Sequence, residues 1–268
     1  MQPWPSANSP PDLVLSPDRV DLWFVFTDQE AAPELAARYR ALLTEQERGQ
    51  QQRFYFARDR HRYLLTRALV RTVLSRYAPI AAADWRFEPS AYGKPMIVND
   101  HDAVRRLSFN ISHTEGLIVL AVTADRAVGV DTERTQRDIA LEIADRYFSP
   151  SEVAALYALP AELQRGRFLE LWTLKESYIK ARGIGLSIPL GKFSFNLDGE
   201  GEAIRFDAEL GDSPAHWRFY QMRPSDTHTA ALCLQRHPAQ MPNLTSRQLV
   251  PLVAEQLIDF PVSILGAA

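Results

Sequence analysis

The sequence predicts an α+β fold in which one order of elements is used twice. Three observations point there. Strand candidates cluster after helical stretches instead of alternating with them, which separates α+β from α/β. The links between several strand candidates are two or three residues long, as antiparallel neighbours require. The order strand, helices, strands is followed, past a break near residue 135, by helices and strands again. No residue-by-residue repeat accompanies this order, so the doubling concerns architecture alone.

The first segment, "MQPWPSANSPPD", is rich in proline, which denies helices and ladders their N–H donors. It lacks the basic stretch and apolar core of a secretory signal, and residues 1–19 read as a loose leader. "VDLWFVF" (20–26) is β-branched and aromatic and predicts the first strand. From Pro33 to Tyr77 the pattern is helical, and Thr44 with Glu47 three residues on forms a capping-box signature. In "ARDRHRYLLTRALVRTVLSRY", Leu64, Leu65, Ala68, Leu69, Val73 and Leu74 recur at helical spacing with arginines on the other side. Pro79 closes this helix, because the residue before a proline disfavours helical backbone.

A β-rich block comes next. The turn "YGKP" (92–95) leads to "MIV", and "LSFNISH" (107–113), "GLIVLAVT" (116–123) and "AVGVD" (127–131) follow. The links "TE" and "ADR" predict these last three as antiparallel neighbours. Helix returns with "IALEIADRYF", with "SPSEVAALYAL" behind a serine cap, and with the run from Pro160 to Arg182 that Gly183 stops. "KFSFNL", "AIRFDAEL", "HWRFYQM" and "TAALCLQR" read as strands. The last stretch holds one amphipathic candidate, "SRQLVPLVAEQLIDF", interrupted by Pro251. The predicted organisation is a leader (1–19), an N-terminal subdomain (20–135), a C-terminal subdomain (136–236) and an extension (237–268).

Composition bounds the function. With 46% hydrophobic and 24% charged residues, a packed core is expected rather than disorder. A net charge of −3 gives no basic field for nucleic acid. One cysteine, Cys233, excludes an internal disulfide and a cysteine zinc site and fits a reducing cytoplasm. No apolar run approaches the roughly 20 residues that span a bilayer. Phosphate loops of the G-x-x-x-x-G-K-[ST] and G-x-G-x-x-G types are absent, as are G-x-S-x-G and H-E-x-x-H.

Several residues could carry chemistry. In "VGVDTER", Asp131 and Glu133 are two apart and so share one face of a strand, with Cα atoms about 6–7 Å apart. Such a pair suits a hard cation; it is equally the solvated end of an ordinary strand. In "LWTLKESYIKARGIGL", Phe168, Leu171, Trp172, Tyr178 and Ile179 form an apolar arc, with Glu176 and Lys180 beside Trp172 at its edge. That pair is either a surface ion pair of about 0.3–0.5 kcal/mol or part of a site. Lys175 projects near the centre of the arc, where it needs an anionic partner or an apolar groove for its stem. Ser112 and His113 end a strand before a turn, where the histidine can donate to a phosphate or bond locally. Lys94 sits on a glycine–proline turn, and the arginines of "RFYFARDRHR" face either an anion or water.

Taken together, "YGKP", "FNISHT", "VGVDTE" and "FLELWTLKESYIKARGIGL", in that order, resemble the Sfp-type (surfactin-type) 4′-phosphopantetheinyl transferases. "RFYFARDRHRYLLTRALVR" is similar to that family's first long helix, and the likeness covers about residues 40–235. It implies two similar α+β subdomains in pseudo-twofold arrangement, each with helices on a small, mainly antiparallel sheet and with the active site between them. It implies transfer of 4′-phosphopantetheine from coenzyme A to a serine of an apo acyl or peptidyl carrier protein, leaving adenosine 3′,5′-bisphosphate. Asp131, Glu133 and Glu176 match the family's ligands for Mg²⁺, for which Mn²⁺ can substitute. Lys180 matches a lysine near the pyrophosphate, and Lys94, Ser112 and His113 match positions that hold coenzyme A phosphates. Asp131, Glu176 and Lys180 are then the catalytic group, with Glu176 as general base.

The likeness departs at the 3′-phosphate. Where the family often carries basic residues ahead of the first long helix, "EQERGQQQRF" has Glu47 and Gln50, leaving Arg48 and Arg53 to substitute. The alternative is a non-catalytic module binding coenzyme A or a carrier protein on the same fold. Either way the expectation is a cytoplasmic monomer that binds neither nucleic acid nor membrane and serves fatty-acid, polyketide or nonribosomal-peptide carriers.

Overall fold

The computed structural model describes residues 1–5, 11–27, 31–199, 202–237 and 241–265. A short edge strand β1 (Gln2–Pro3) precedes β2 (Arg19–Phe26), and three helices follow: α1 (Pro33–Leu42), α2 (Glu45–Arg53) and α3 (Ala57–Leu74). Then come β3 (Phe87–Pro89), β4 (Pro95–Ile97), β5 (Leu107–Thr114), β6 (Leu117–Ala124) and β7 (Val128–Arg134). The second set of helices is α4 (Ile143–Tyr147), α5 (Pro150–Ala158) and α6 (Ala161–Arg182). It leads to β8 (Phe193–Phe195), β9 (Ile204–Phe206), β10 (Trp217–Ser225), β11 (His228–Gln235), β12 (Asn243–Val250), β13 (Ala254–Leu257) and β14 (Val262–Leu265).

The capping box is present as predicted: Thr44 accepts from the Glu47 N–H, and the Glu47 carboxylate accepts from the Thr44 N–H. Ser149 and Glu152 make a second one at the start of α5. Gly183 ends α6 in the left-handed region at φ 68°, where a Cβ is costly.

Six strands form one sheet in the order β1-β13-β12-β2-β6-β5, and four form another in the order β14-β10-β11-β7. All their pairings are antiparallel except β12 with β2. Helices α1 and α3 pack on the first sheet through Tyr39, Leu65, Leu69 and Val73 against Trp23, Phe109 and Leu120. Helices α4 to α6 pack on the second through Ala144, Leu156, Leu174 and Tyr178 against Phe219, Ala231 and Cys233. A third core joins the sheets, with Leu22, Phe24 and Val119 from one and Val130, Tyr220 and Leu232 from the other. The expected α+β fold of two helix-on-sheet halves is therefore observed.

The predicted triplet of neighbouring strands is not. β5 and β6 pair antiparallel, with His113 beside Ile118, but β7 crosses to the second sheet and pairs with β11. The physical reason is that "VGVDTER" is buried along all but its last residue. Both sides of β6 are already taken, by β2 and β5, whereas in the second sheet β7 has α6 on one face and the inter-sheet core on the other.

The amphipathic stretch after residue 242 is a β-hairpin. β12 lies parallel to β2, and β13 returns on β12 through a turn in which Leu252 has φ 62°. β14 then crosses to pair with β10, so the extension joins both sheets. The described part of the leader is tied down: Trp4 donates its N–H to the Val253 carbonyl, and Asp12 pairs with Arg76, which also holds Glu255 at 2.9 Å.

Candidate active site

Gly129 begins the site. A Cβ there would lie 2.0 Å from the Ser177 carbonyl oxygen and 2.3 Å from the Ala181 nitrogen. The bare backbone of β7 therefore lets the last turns of α6 lie directly on the strand. Strand alternation then puts Asp131 and Glu133 on the same face as Gly129, along the line of α6. β5 reaches β7 from the other sheet by side chains: Asn110 Oδ1 accepts from the Val130 N–H at 2.8 Å, and Thr114 Oγ1 donates to Glu133 Oε2 at 3.4 Å.

Three residues close into a triangle. The Lys180 ammonium donates to Asp131 Oδ1 at 2.6 Å and to Ser112 Oγ at 2.9 Å, and Ser112 Oγ donates to the same Asp131 oxygen at 2.8 Å. Lys180 makes no ion pair with Glu176, its neighbour one turn back; among the described residues no hydrogen bond or ion pair reaches the Glu176 carboxylate. Glu133 pairs with Arg137.

The triangle lines a cavity of about 470 Å³ between the two halves, walled by α3 through Arg62 and Arg67 and by β5 and β7. A neighbouring cavity of about 260 Å³ is lined by Glu176, Lys94 and Tyr92, and Lys180 borders both. Burial raises the pKa of Glu176, and Asp131 and Glu133 raise it further against the opposing Lys180. Burial likewise raises Glu133, with Asp131 adding and Arg137 opposing. The His113 ring is exposed at the cleft mouth, yet desolvation and then Arg62 lower its pKa.

The site gathers more carboxylate than the single ammonium of Lys180 balances. Asp131 Oδ2 is buried with no hydrogen-bond partner, an unusual state for a charged oxygen. Among the described residues no three His, Cys, Asp or Glu side chains are grouped closely enough to hold an ion as they stand. The donor chemistry is nonetheless that of a hard divalent cation: carboxylate oxygens, one of them orphaned, with the charge of Asp131 pushing the pKa of Glu133 and Glu176 up.

The remaining candidates divide. Lys94 does not project freely into the cleft: its ammonium donates to the Lys180 carbonyl at 2.9 Å and the Val128 carbonyl at 3.3 Å, tying the "YGKP" turn to the C-terminal end of α6. Arg48 turns back to the Leu43 carbonyl. Arg53 lines a separate cavity of about 510 Å³ with Arg67 and Glu47. Lys175 is fully buried and structural: it pairs with Glu152 at 2.8 Å, donates to the Leu190 and Phe193 carbonyls, and lies 4.3 Å from the Phe193 ring centre. Asn110, Thr114 and Arg137 were not singled out from the sequence. The signal available for the first two was alternation, since Asn110, Ser112 and Thr114 share one face of β5.

The comparisons with known proteins place the chain in a family. Residues 31–125 match the family model "4′-phosphopantetheinyl transferase, N-terminal", and residues 127–233 match the 4′-phosphopantetheinyl transferase superfamily. The 4′-phosphopantetheinyl transferase Sfp of Bacillus subtilis (strain 168) is 36% identical over 217 residues, covering 81% of this chain and 92% of that one. The 4′-phosphopantetheinyl transferase HetI of Nostoc sp. is 34% identical over 228 residues, covering 84% and 91%. A phosphopantetheinyl transferase of Thraustochytrium sp. is 30% identical over 216 residues, covering 76% and 74%. A solved holo-[acyl-carrier-protein] synthase of Thermotoga maritima shares 20% identity and a TM-score of 0.33 over 41% of this chain and 62% of that one, a likeness too slight to argue from. The chain belongs to the 4′-phosphopantetheinyl transferase superfamily.

Proposed function

We infer that this protein transfers 4′-phosphopantetheine from coenzyme A to a serine of an apo acyl or peptidyl carrier protein. The observation that supports this most is the Lys180–Asp131–Ser112 triangle, set with Glu133 and Glu176 in a cleft between the two halves.

In the reaction the carrier serine oxygen bonds to the β-phosphorus of coenzyme A. The phosphoanhydride bond to the nucleotide breaks, and adenosine 3′,5′-bisphosphate leaves with the bond's electron pair. Glu176 takes the serine proton, directly or through a water; its raised pKa brings it nearer the working pH of a base. Lys180 places its ammonium where negative charge grows on the departing phosphate, an interaction stronger in the transition state than before it. Ser112 and Asp131 hold that ammonium in place. Arg62 and His113 line the same cavity and would face the phosphates of coenzyme A bound there.

Asp131, Glu133 and Glu176 are the residues that would hold Mg²⁺ or Mn²⁺. When bound, that ion supplies Lewis-acid charge beside the diphosphate and relieves the repulsion among the three acids. The site is built within one chain, in keeping with a monomer, and the lone, buried Cys233 suits the cytoplasm. No helix among the described residues is long and apolar enough to cross a membrane.

The test is an intact-mass measurement. Incubation with coenzyme A, Mg²⁺ and apo carriers of fatty-acid, polyketide and nonribosomal-peptide type should raise the mass of at least one carrier by one phosphopantetheine. No shift with any carrier overturns the assignment. Magnesium-independent binding of coenzyme A without a shift would make the protein a binding module instead.

A further inference from the structure

The strands that carry the acids have a second cavity at their other end. In the β7–β11 register Glu133 stands beside Thr229 and Val128 beside Leu234, and β10 enters with Trp217 beside Gln235. A cavity of about 640 Å³ lies at the Val128 end. Arg126, which lines it, is five residues and so roughly 16 Å along the chain from Asp131. The lining brings together Arg126 from the β6–β7 link, Arg218 from β10, Arg236 from the end of β11, His216 and His237, and it contains no carboxylate.

Arg126 is 5% exposed, and its Nε and Nη2 are buried with no hydrogen-bond partner, as is Nε of Arg218. Burial raises the pKa of the nearby Tyr220 hydroxyl, and Arg218 beside it opposes the rise. Of the nearby acids, Asp125 pairs with Arg106 at 2.5 Å, Asp212 takes His216 at 2.9 Å along with Tyr178, Arg182 and Trp217, and Asp18 and Asp125 reach Arg126 through space without a hydrogen bond to it. Desolvation weakens the hold of Arg126 and Arg236 on their charge; Tyr220 opposes this at both, Asp18 and Asp125 oppose it at Arg126, and the proximity of Arg218 adds to it at both. Buried guanidinium N–H groups without an acceptor are rarely left so in a folded protein.

We propose that this cavity binds a multiply charged phosphate anion held between Arg126 and Arg218, at a site separate from the cleft of the transferase. Unpartnered guanidinium N–H groups of Arg126 and Arg218, approaching from two different elements, suit a tetrahedral oxyanion, which offers acceptors in every direction; a planar carboxylate is served by one fork. The volume lies in the range of small-ligand sites and admits either inorganic pyrophosphate or the diphosphate of a nucleotide. This site does not depend on the transfer reaction assigned above.

Calorimetric titration with inorganic pyrophosphate, without divalent cations, tests it. Binding should persist in Lys180→Met, which alters the cleft, and weaken at least tenfold in Arg218→Gln, whose carrier mass shift should stay at the parent rate. Arg126→Gln should weaken it similarly, provided its circular dichroism is that of the parent; Arg218→Gln decides the matter if it is not. Tighter binding of ADP identifies a nucleotide as the occupant, and weaker binding identifies the inorganic anion; both support the site. Unchanged affinity in Arg218→Gln, loss of binding in Lys180→Met, or citrate binding as well as pyrophosphate would overturn the proposal.

Discussion

The Lys180 ammonium stands 2.6 Å from Asp131 Oδ1, across a helix–strand contact, and leaves Glu176 on its own helix without an ion-pair partner. An i,i+4 pair on a solvated helix is worth about 0.3–0.5 kcal/mol. Here the buried aspartate wins, because its charge is less screened than that of an exposed group. The consequence is a divided site, with an engaged lysine and an unengaged glutamate one turn apart.

Replacing Lys180 by methionine should remove charge stabilisation at the leaving phosphate. Transfer to the carrier is expected to fall by roughly 100-fold or more, read as the initial rate of the carrier mass shift. Circular dichroism should stay that of the parent, since the lysine lines a cavity and is not a core side chain.

Glu176→Gln should separate function from stability. The carboxylate is held above its ordinary pKa by burial and by its acidic neighbours, so its charge opposes folding at neutral pH. Removing that charge should leave the urea midpoint unchanged or raise it by no more than about 0.5 kcal/mol of stability, while transfer is lost. A variant destabilised by more than that would contradict an unengaged Glu176.

Gly129→Ala should be among the most damaging single-methyl changes. The new Cβ would meet the Ser177 carbonyl and the Ala181 nitrogen, both backbone atoms of α6 that cannot swing aside. Overpacking of this kind costs about 1–3 kcal/mol or more. Guanidinium chloride unfolding should show that loss, and transfer should drop with it because Lys180 moves with the helix.

Lys175→Met should cost stability without touching the chemistry. It strips the buried Glu152 carboxylate of its counter-charge, although Glu152 keeps the N–H groups of Ser149 and Phe195. Breaking one side of a buried pair costs about 3–5 kcal/mol. Lys175→Met with Glu152→Gln should recover part of this in thermal unfolding, and the folded single variant should keep its transfer rate.

Acid should expose Asp212. Burial tends to raise its pKa, but hydrogen bonds from Tyr178, His216, the Ser213 N–H and Trp217 outweigh it and bring it from 3.8 to about 2. A depressed carboxylate contributes stability that is fully present above about pH 4 and is lost as pH falls from about 4 to 2. Stability measured over that window should fall more steeply for the parent than for Asp212→Asn, which should be less stable at pH 7 by about 1–3 kcal/mol. Parallel slopes would contradict this account.

The sequence by itself determined the elements whose cause is local. The Thr44–Glu47 capping box, the stop at Gly183, and the alternation that puts Asp131 and Glu133 on one face each depend on residues a few positions apart. The acids and Lys180 that converge at the cleft were legible as motifs, and so was the need of Lys175 for a partner. Which partner each would take was not. Glu152 for Lys175, Asp131 for Lys180 and the Lys180 carbonyl for Lys94 are choices among groups distant in the chain, set by how closely α6 can approach β7. The crossing of β7 to the second sheet and the return of β12 to β2 were likewise decided only by tertiary packing. Period and caps act over a turn or two of chain, while a strand's neighbours are chosen by which apolar faces remain to be covered once everything else has packed.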